Sequence, residues 1–171
     1  MAADRSRTAH QGRLLLAAYG AAGLALLYAL VSAYWTLGGT ALLSTVGGPV
    51  EELARRGGPA AVALGAAVTM AKVGGAVLSL ALVQPWGQRL PRRLLESTAL
   101  VGGAVLTLYG GLLVLVGGAA LLGLLGSPPA DPTALRWHVL VWDLWFLLWG
   151  VLLAAAVRLR RQPGAPSSTV P

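Results

Sequence analysis

Long apolar stretches alternate with short clusters of charge along this chain. Four of them, at about residues 14–37, 59–83, 97–122 and 134–157, exceed the roughly 18 apolar residues that mark a membrane-spanning helix. Each is apolar around its whole circumference, not along one stripe. A soluble fold would have to bury every face of all four, and 171 residues provide no such interior. The pattern predicts an all-α fold, a four-transmembrane-helix bundle within residues 14–161. A mobile basic tail (1–13) is expected before it and a disordered Pro/Ser-rich tail (162–171) after it.

Turn and capping residues punctuate the spans. Pro59 follows glycine and opens span two, Gln84-Pro85 ends it, and Pro91 precedes span three. After the turn Gly126-Ser127-Pro128-Pro129, Asp131 reads as an N-cap with Pro132 at the first helical position of span four. In the first connection Pro49 starts a short interfacial helix, on which Glu51 pairs with Arg55 and Glu52 with Arg56 at i,i+4. Small residues recur at helical spacing: Ala17, Ala21, Ala25, Ala29 and Ala33 on span one, and Ala67, Ala71, Gly75 and Ser79 on span two. Span three has Gly103, Gly110 and Gly117 at intervals of seven. Such smooth stripes let helices approach closely, whether within the chain or in a homo-oligomer.

Charge adds an orientation. Only 11% of the residues are charged, against about 25% in an ordinary soluble domain. The net charge of +7 raises the question of nucleic acid, but the arginines flank the spans and form no single patch. Arg5, Arg7 and Arg13, then Arg89, Arg92 and Arg93, then Arg158, Arg160 and Arg161 fall on one side of a four-span chain. The other side has Arg55 and Arg56, offset by Glu51 and Glu52, and Arg136. Both termini are therefore expected in the cytoplasm, with the first and third loops outside. The Ala/Gly/Leu/Arg-heavy usage fits a bacterial chain, hence the plasma membrane. A competing reading takes Val31-Ser32-Ala33 as a signal-peptidase site, with a mature chain starting at Tyr34.

Candidate chemistry is sparse. Without cysteine there are no disulfides, thiolate nucleophiles or iron–sulfur ligands. The two histidines, His10 and His138, are expected on opposite sides, which disfavours bis-His haem within one chain. No phosphate loop, HExxH, GxSxG or zinc spacing occurs, so neither metal nor cofactor is expected. Glu96, beside Arg92 and Arg93 at a helix N-terminus, reads as ordinary boundary chemistry.

Two ionisable residues lie at mid-span, where each costs about 2.5–3.5 kcal/mol on insertion scales. Lys72 falls thirteen residues past Pro59 and Asp143 eleven past Pro132. At 1.5 Å per residue their depths differ by about 3 Å, so a Lys72–Asp143 ion pair is the leading expectation. Three readings stay open: a structural pair fixing helix neighbours, a pair that gates protons or holds a ligand, or no contact, with Lys72 snorkelling. On an ideal α-helix His138, Trp142, Trp145 and Trp149 share one narrow face, while Asp143 lies on a second face about 100° away. That face is either bulky packing or the wall of a pocket for a flat apolar molecule, with Arg136 and His138 at its outer rim.

Two segments carry a resemblance. Tyr34-Trp35-Thr36-Leu37-Gly38-Gly39 ends span one, and Arg136-Trp137-His138 with Trp142-Asp143-Leu144-Trp145-Phe146-Leu147-Leu148-Trp149-Gly150 fills span four. Over about residues 14–157 the chain resembles a family of uncharacterised bacterial four-helix membrane proteins. The resemblance implies the topology but no activity. It also implies that the two segments act together, so that Tyr34, Trp35, His138, Trp142 and Asp143 frame one outward-facing pocket.

The expected function is a multi-pass membrane protein of non-catalytic or unknown activity that binds an apolar or lipid-like ligand in that pocket. The candidate ligand-binding residues are Tyr34, Trp35, Lys72, Arg136, His138, Trp142, Asp143 and Trp145. The expected partners are the bilayer, an apolar small molecule or lipid, and a second copy of the chain, but no nucleic acid. One alternative is a small transporter or proton-coupled subunit using Lys72 and Asp143; another is a quinone-linked oxidoreductase subunit.

Overall fold

The computed structural model describes residues 2–126 and 129–162. Its long helices are α1 (Ala2–Thr36), α3 (Pro59–Ala81), α4 (Arg92–Leu121) and α6 (Asp143–Arg161). Short α2 (Gly48–Arg56) sits in the first connection. Helix α5 (Pro132–Trp137) and a π turn (His138–Trp142) run into α6, so that Pro132–Arg161 forms one continuous span. The result is an all-α bundle with four helices long and apolar enough to cross a membrane. Large apolar side chains such as Leu16, Leu30, Leu108, Leu115 and Leu140 project from its surface. That arrangement suits hydrocarbon surroundings, where a helix satisfies its own backbone hydrogen bonds.

Helix α1 begins earlier than the sequence pattern implies. Residues 2–13, expected as a mobile tail, continue the helix. They hold no proline, and extending an existing helix is far less costly than nucleating one. A bond between His10 Nε2 and the Leu159 carbonyl (3.0 Å) ties this turn to α6. At its other end α1 stops in a Schellman cap. Gly38 takes φ +94°, its N–H bonds the Trp35 carbonyl at 3.0 Å, and the Gly39 N–H bonds the Tyr34 carbonyl at 2.9 Å. The Tyr34 ring lies where a Gly39 side chain would be, and its hydroxyl accepts from Ala41 N–H at 3.3 Å. The Tyr-Trp-x-Leu-Gly-Gly segment is thus a helix stop that folds the following loop back.

Packing follows the small residues. Helix α1 packs against both α3 and α6, α4 packs along α6, and α3 barely meets α4. Ala17, Ala21, Ala25 and Ala29 are buried in these contacts. Glycines allow the α4–α6 approach: a methyl at Gly110 would strike the Leu147 nitrogen and Asp143 oxygen, and one at Gly103 the Ala154 nitrogen and Gly150 oxygen. The stripe expected on α3 is only half right. Ala67 and Ala71 face outward, while Lys72, Ala76 and Ser79 are buried, and Gly75 makes room for the Trp149 ring.

Glu96 closes the end of the bundle where the termini lie. Only 6% exposed, it accepts from Arg92 at 2.7 Å and Arg161 at 3.0 Å, with Arg160 at 3.5 Å. Arg160 also donates to the carbonyls of Ala81 and Leu82 (3.3 and 2.8 Å) at the α3 C-terminus, where the helix dipole favours a cation. One carboxylate and two arginines thereby hold α3, α4 and α6 together.

Candidate functional site

Because α3 and α4 barely touch, the bundle is open between them toward the loop end. The opening is a cavity of about 570 Å³, within the usual range of about 300–1,000 Å³ for small-molecule sites. Helix α2 covers it with Val50, Leu53 and Ala54, while Val62, Leu64 and Val68 of α3 form one apolar wall. The sequence places α2 there for a clear reason. Pro49 opens it, Glu51 and Arg55 pair at 2.7 Å along its exposed side, and its apolar side is left for the bundle. The expected second pair, Glu52 with Arg56, does not form among the described residues.

Three ionisable residues line this cavity with two tyrosines: Lys72, His138, Asp143, Tyr28 and Tyr109. Asp131 starts the segment that carries two of them, its side chain accepting from the N–H groups of Thr133 and Ala134 at 2.9 Å. The π turn then changes the phase of the helix. On an α-helix residues five apart point about 140° from each other. The i→i+5 ladder brings them to one face, and His138 Nδ1 lies 3.3 Å from Asp143 Oδ1. The two-face reading of span four is corrected accordingly: His138 and Asp143 are direct partners. His138 Nε2 reaches the Val46 carbonyl at 2.8 Å, which joins the first loop to span four.

Lys72 has other neighbours than expected. It is 8% exposed and Asp143 5%, yet no ion pair joins them among the described residues. Lys72 Nζ donates to Ser32 Oγ at 2.5 Å and lies 3.3 Å from the centre of the Tyr28 ring, a cation–π contact. Similar depth did not produce an ion pair because each side chain has another partner: Lys72 turns to Ser32 and Tyr28 of α1, and Asp143 to His138.

Aromatic rings form the rest of the wall. Tyr28 stacks on Trp142 (5.8 Å) and meets Phe146 at 5.0 Å, Trp35 meets Trp142 edge-on at 5.4 Å, and Tyr109 meets Phe146 at 5.4 Å. The Trp142 indole donates to Thr45 Oγ1 at 3.2 Å.

Of the eight residues singled out from the sequence, the structure brings Trp35, Lys72, His138, Trp142 and Asp143 to the cavity. The other three lie elsewhere. Tyr34 belongs to the Schellman cap, Arg136 is exposed, and Trp145 anchors span four to α1 by donating to the Leu24 carbonyl at 2.9 Å. Sequence reasoning missed Tyr28, Ser32, Tyr109 and Phe146. A signal for part of this set exists, since Tyr28, Ser32, Trp35 and Thr36 recur at i, i+4, i+7 and i+8 on an otherwise apolar span.

Fold and site together define a small bundle of membrane-span helices with an ionisable, aromatic-walled cavity at one end. The chain belongs to the DUF3995 family of proteins of unknown function, which matches residues 13–153. No curated protein and no solved structure matches it.

Proposed function

We propose that this chain is a multi-pass membrane protein with both termini in the cytoplasm, and that its cavity binds an apolar or lipid-like molecule from the outer side. The orientation rests on arginine placement, nine of the twelve falling at the end that holds the termini. The binding reading rests above all on the cavity, which is apolar over most of its lining and has Lys72, His138 and Asp143 on its wall. Buried ionisable groups at membrane depth call for a ligand, an ion path or a structural partner, and no carboxylate pairs with Lys72 among the described residues. The test is extraction of the purified full chain followed by mass spectrometry. A stoichiometric apolar molecule is expected with the native chain and is lost in Val68→Trp, which fills the cavity, at unchanged elution volume. An equal yield from both proteins, or no bound molecule in either, contradicts the reading.

A second reading, proton-coupled transport, draws support from the placement of His138 and Asp143 on that same cavity. Its test is proton or substrate flux in liposomes, abolished in Asp143→Asn. Flux equal to that of empty liposomes counts against it.

A further inference from the structure

Hydrogen-bond accounting gives the charge of the cavity and, through it, the class of molecule it takes. The Val46 carbonyl can only accept, so the His138 Nε2 atom 2.8 Å away carries hydrogen. Asp143 Oδ1 faces His138 Nδ1 at 3.3 Å. A neutral ring protonated on Nε2 would set its Nδ1 lone pair against a carboxylate, which is repulsive. The contact therefore needs a second proton between the two atoms. It sits either on Nδ1, giving imidazolium with carboxylate, or on Asp143, giving neutral imidazole with carboxylic acid. In both forms the net charge of the pair is zero.

That result leaves Lys72 alone. The ionisable groups facing the cavity are Lys72, His138, Asp143 and the phenols Tyr28 and Tyr109. With Asp143 neutralised by His138, no other carboxylate lines the cavity, and none pairs with Lys72 among the described residues. Its two neighbours, the Ser32 hydroxyl and the Tyr28 ring, are neutral, and an ammonium has three N–H donors. The cavity thus holds one amine with no carboxylate partner among the described residues, beside an apolar chamber lined by Val50, Leu53, Val62, Leu64 and Val68. An unpaired charge in such surroundings is costly, and a bound anion relieves it.

We infer that the cavity selects an amphiphile with an anionic head, a carboxylate or a phosphate ester, held by Lys72, with its hydrocarbon tail against α2 and α3. The inference rests on the proposed ligand-binding reading and adds the head-group class. Both a free fatty acid and an anionic membrane lipid carry this chemistry.

The test titrates the full chain in detergent with oleate, dioleoyl phosphatidate, oleyl alcohol and oleylamine, followed by tryptophan fluorescence. At least one of the two anions should bind tenfold or more tightly than the alcohol, with the amine weakest. Preference for oleate marks a free carboxylate as the ligand, and preference for phosphatidate a membrane lipid. Lys72→Met should bring anion and alcohol level, while Lys72→Arg keeps the preference. Equal affinity for anions and alcohol in the native chain overturns the head-group inference and leaves the cavity reading standing. Binding of none of the four overturns both. If Lys72→Met does not fold, the head-group series on the native chain decides alone.

Discussion

His138 and Asp143 are five residues apart and meet at 3.3 Å because a π turn lies between them. The pair is half of the charge balance of the cavity, and it makes span four a single unit with the first loop through Val46. Removing one partner strands the other. His138→Ala should destabilise the chain by about 1–3 kcal/mol, the usual cost of leaving a buried polar group without its hydrogen-bond partner. Asp143→Asn, which keeps a hydrogen-bonding side chain, should cost less. The double variant His138→Ala/Asp143→Ala should recover part of the loss, as thermal unfolding in detergent would show. Additive losses would mean that the two residues do not act as a pair.

The α4–α6 seam should be sensitive to single methyl groups. At Gly110 a side chain would collide with backbone atoms of Leu147 and Asp143, whereas at Gly118 nothing lies within 4 Å. Gly110→Ala should therefore destabilise by about 1–3 kcal/mol, the range for overpacking, and Gly118→Ala should not. Unfolding midpoints of the two variants check this, and equal midpoints would place the seam elsewhere.

Glu96 should matter more than a boundary carboxylate. Its bond to Arg161 ties α4 to α6 at the terminal end, and Arg92 pairs with it within α4; hydrogen bonds to charged groups contribute about 1.5–3 kcal/mol. Arg92 is 66% exposed, so the lower end of that range applies to its share. Glu96→Gln should lower the unfolding midpoint by several degrees, and less so at high salt. An unchanged midpoint would show that the apolar seams alone hold this end.

Much of the fold is legible in the residues, for physical reasons. Four spans follow from apolar length, the α5 start from Asp131-Pro132, and α2 from Pro49 with its Glu51–Arg55 pair. The glycines at sevens mark a helix seam because only a missing side chain allows that approach. The π turn has no comparable signature. A change from i→i+4 to i→i+5 bonding leaves composition and hydropathy untouched, so a fixed α-helical period put His138 and Asp143 on separate faces. The Lys72–Asp143 expectation failed for a related reason. Equal depth says nothing about which partner each side chain takes, and Lys72 finds Ser32 and Tyr28 while Asp143 finds His138. Tyr34 and Trp145 were drawn into the site as aromatic residues, although the first caps a helix and the second bonds a backbone carbonyl.

The central claim, that the cavity beneath α2 is a binding site, has a direct test because the chain contains no cysteine. Ala54→Cys places a thiol on the cavity lining, and Glu52→Cys places one on the exposed side of the same helix. Maleimide labelling is then timed in membranes with and without oleate or dioleoyl phosphatidate. The account predicts that one of these amphiphiles slows labelling at position 54 at least tenfold and leaves position 52 unchanged. Rates at position 54 that neither amphiphile alters would contradict it.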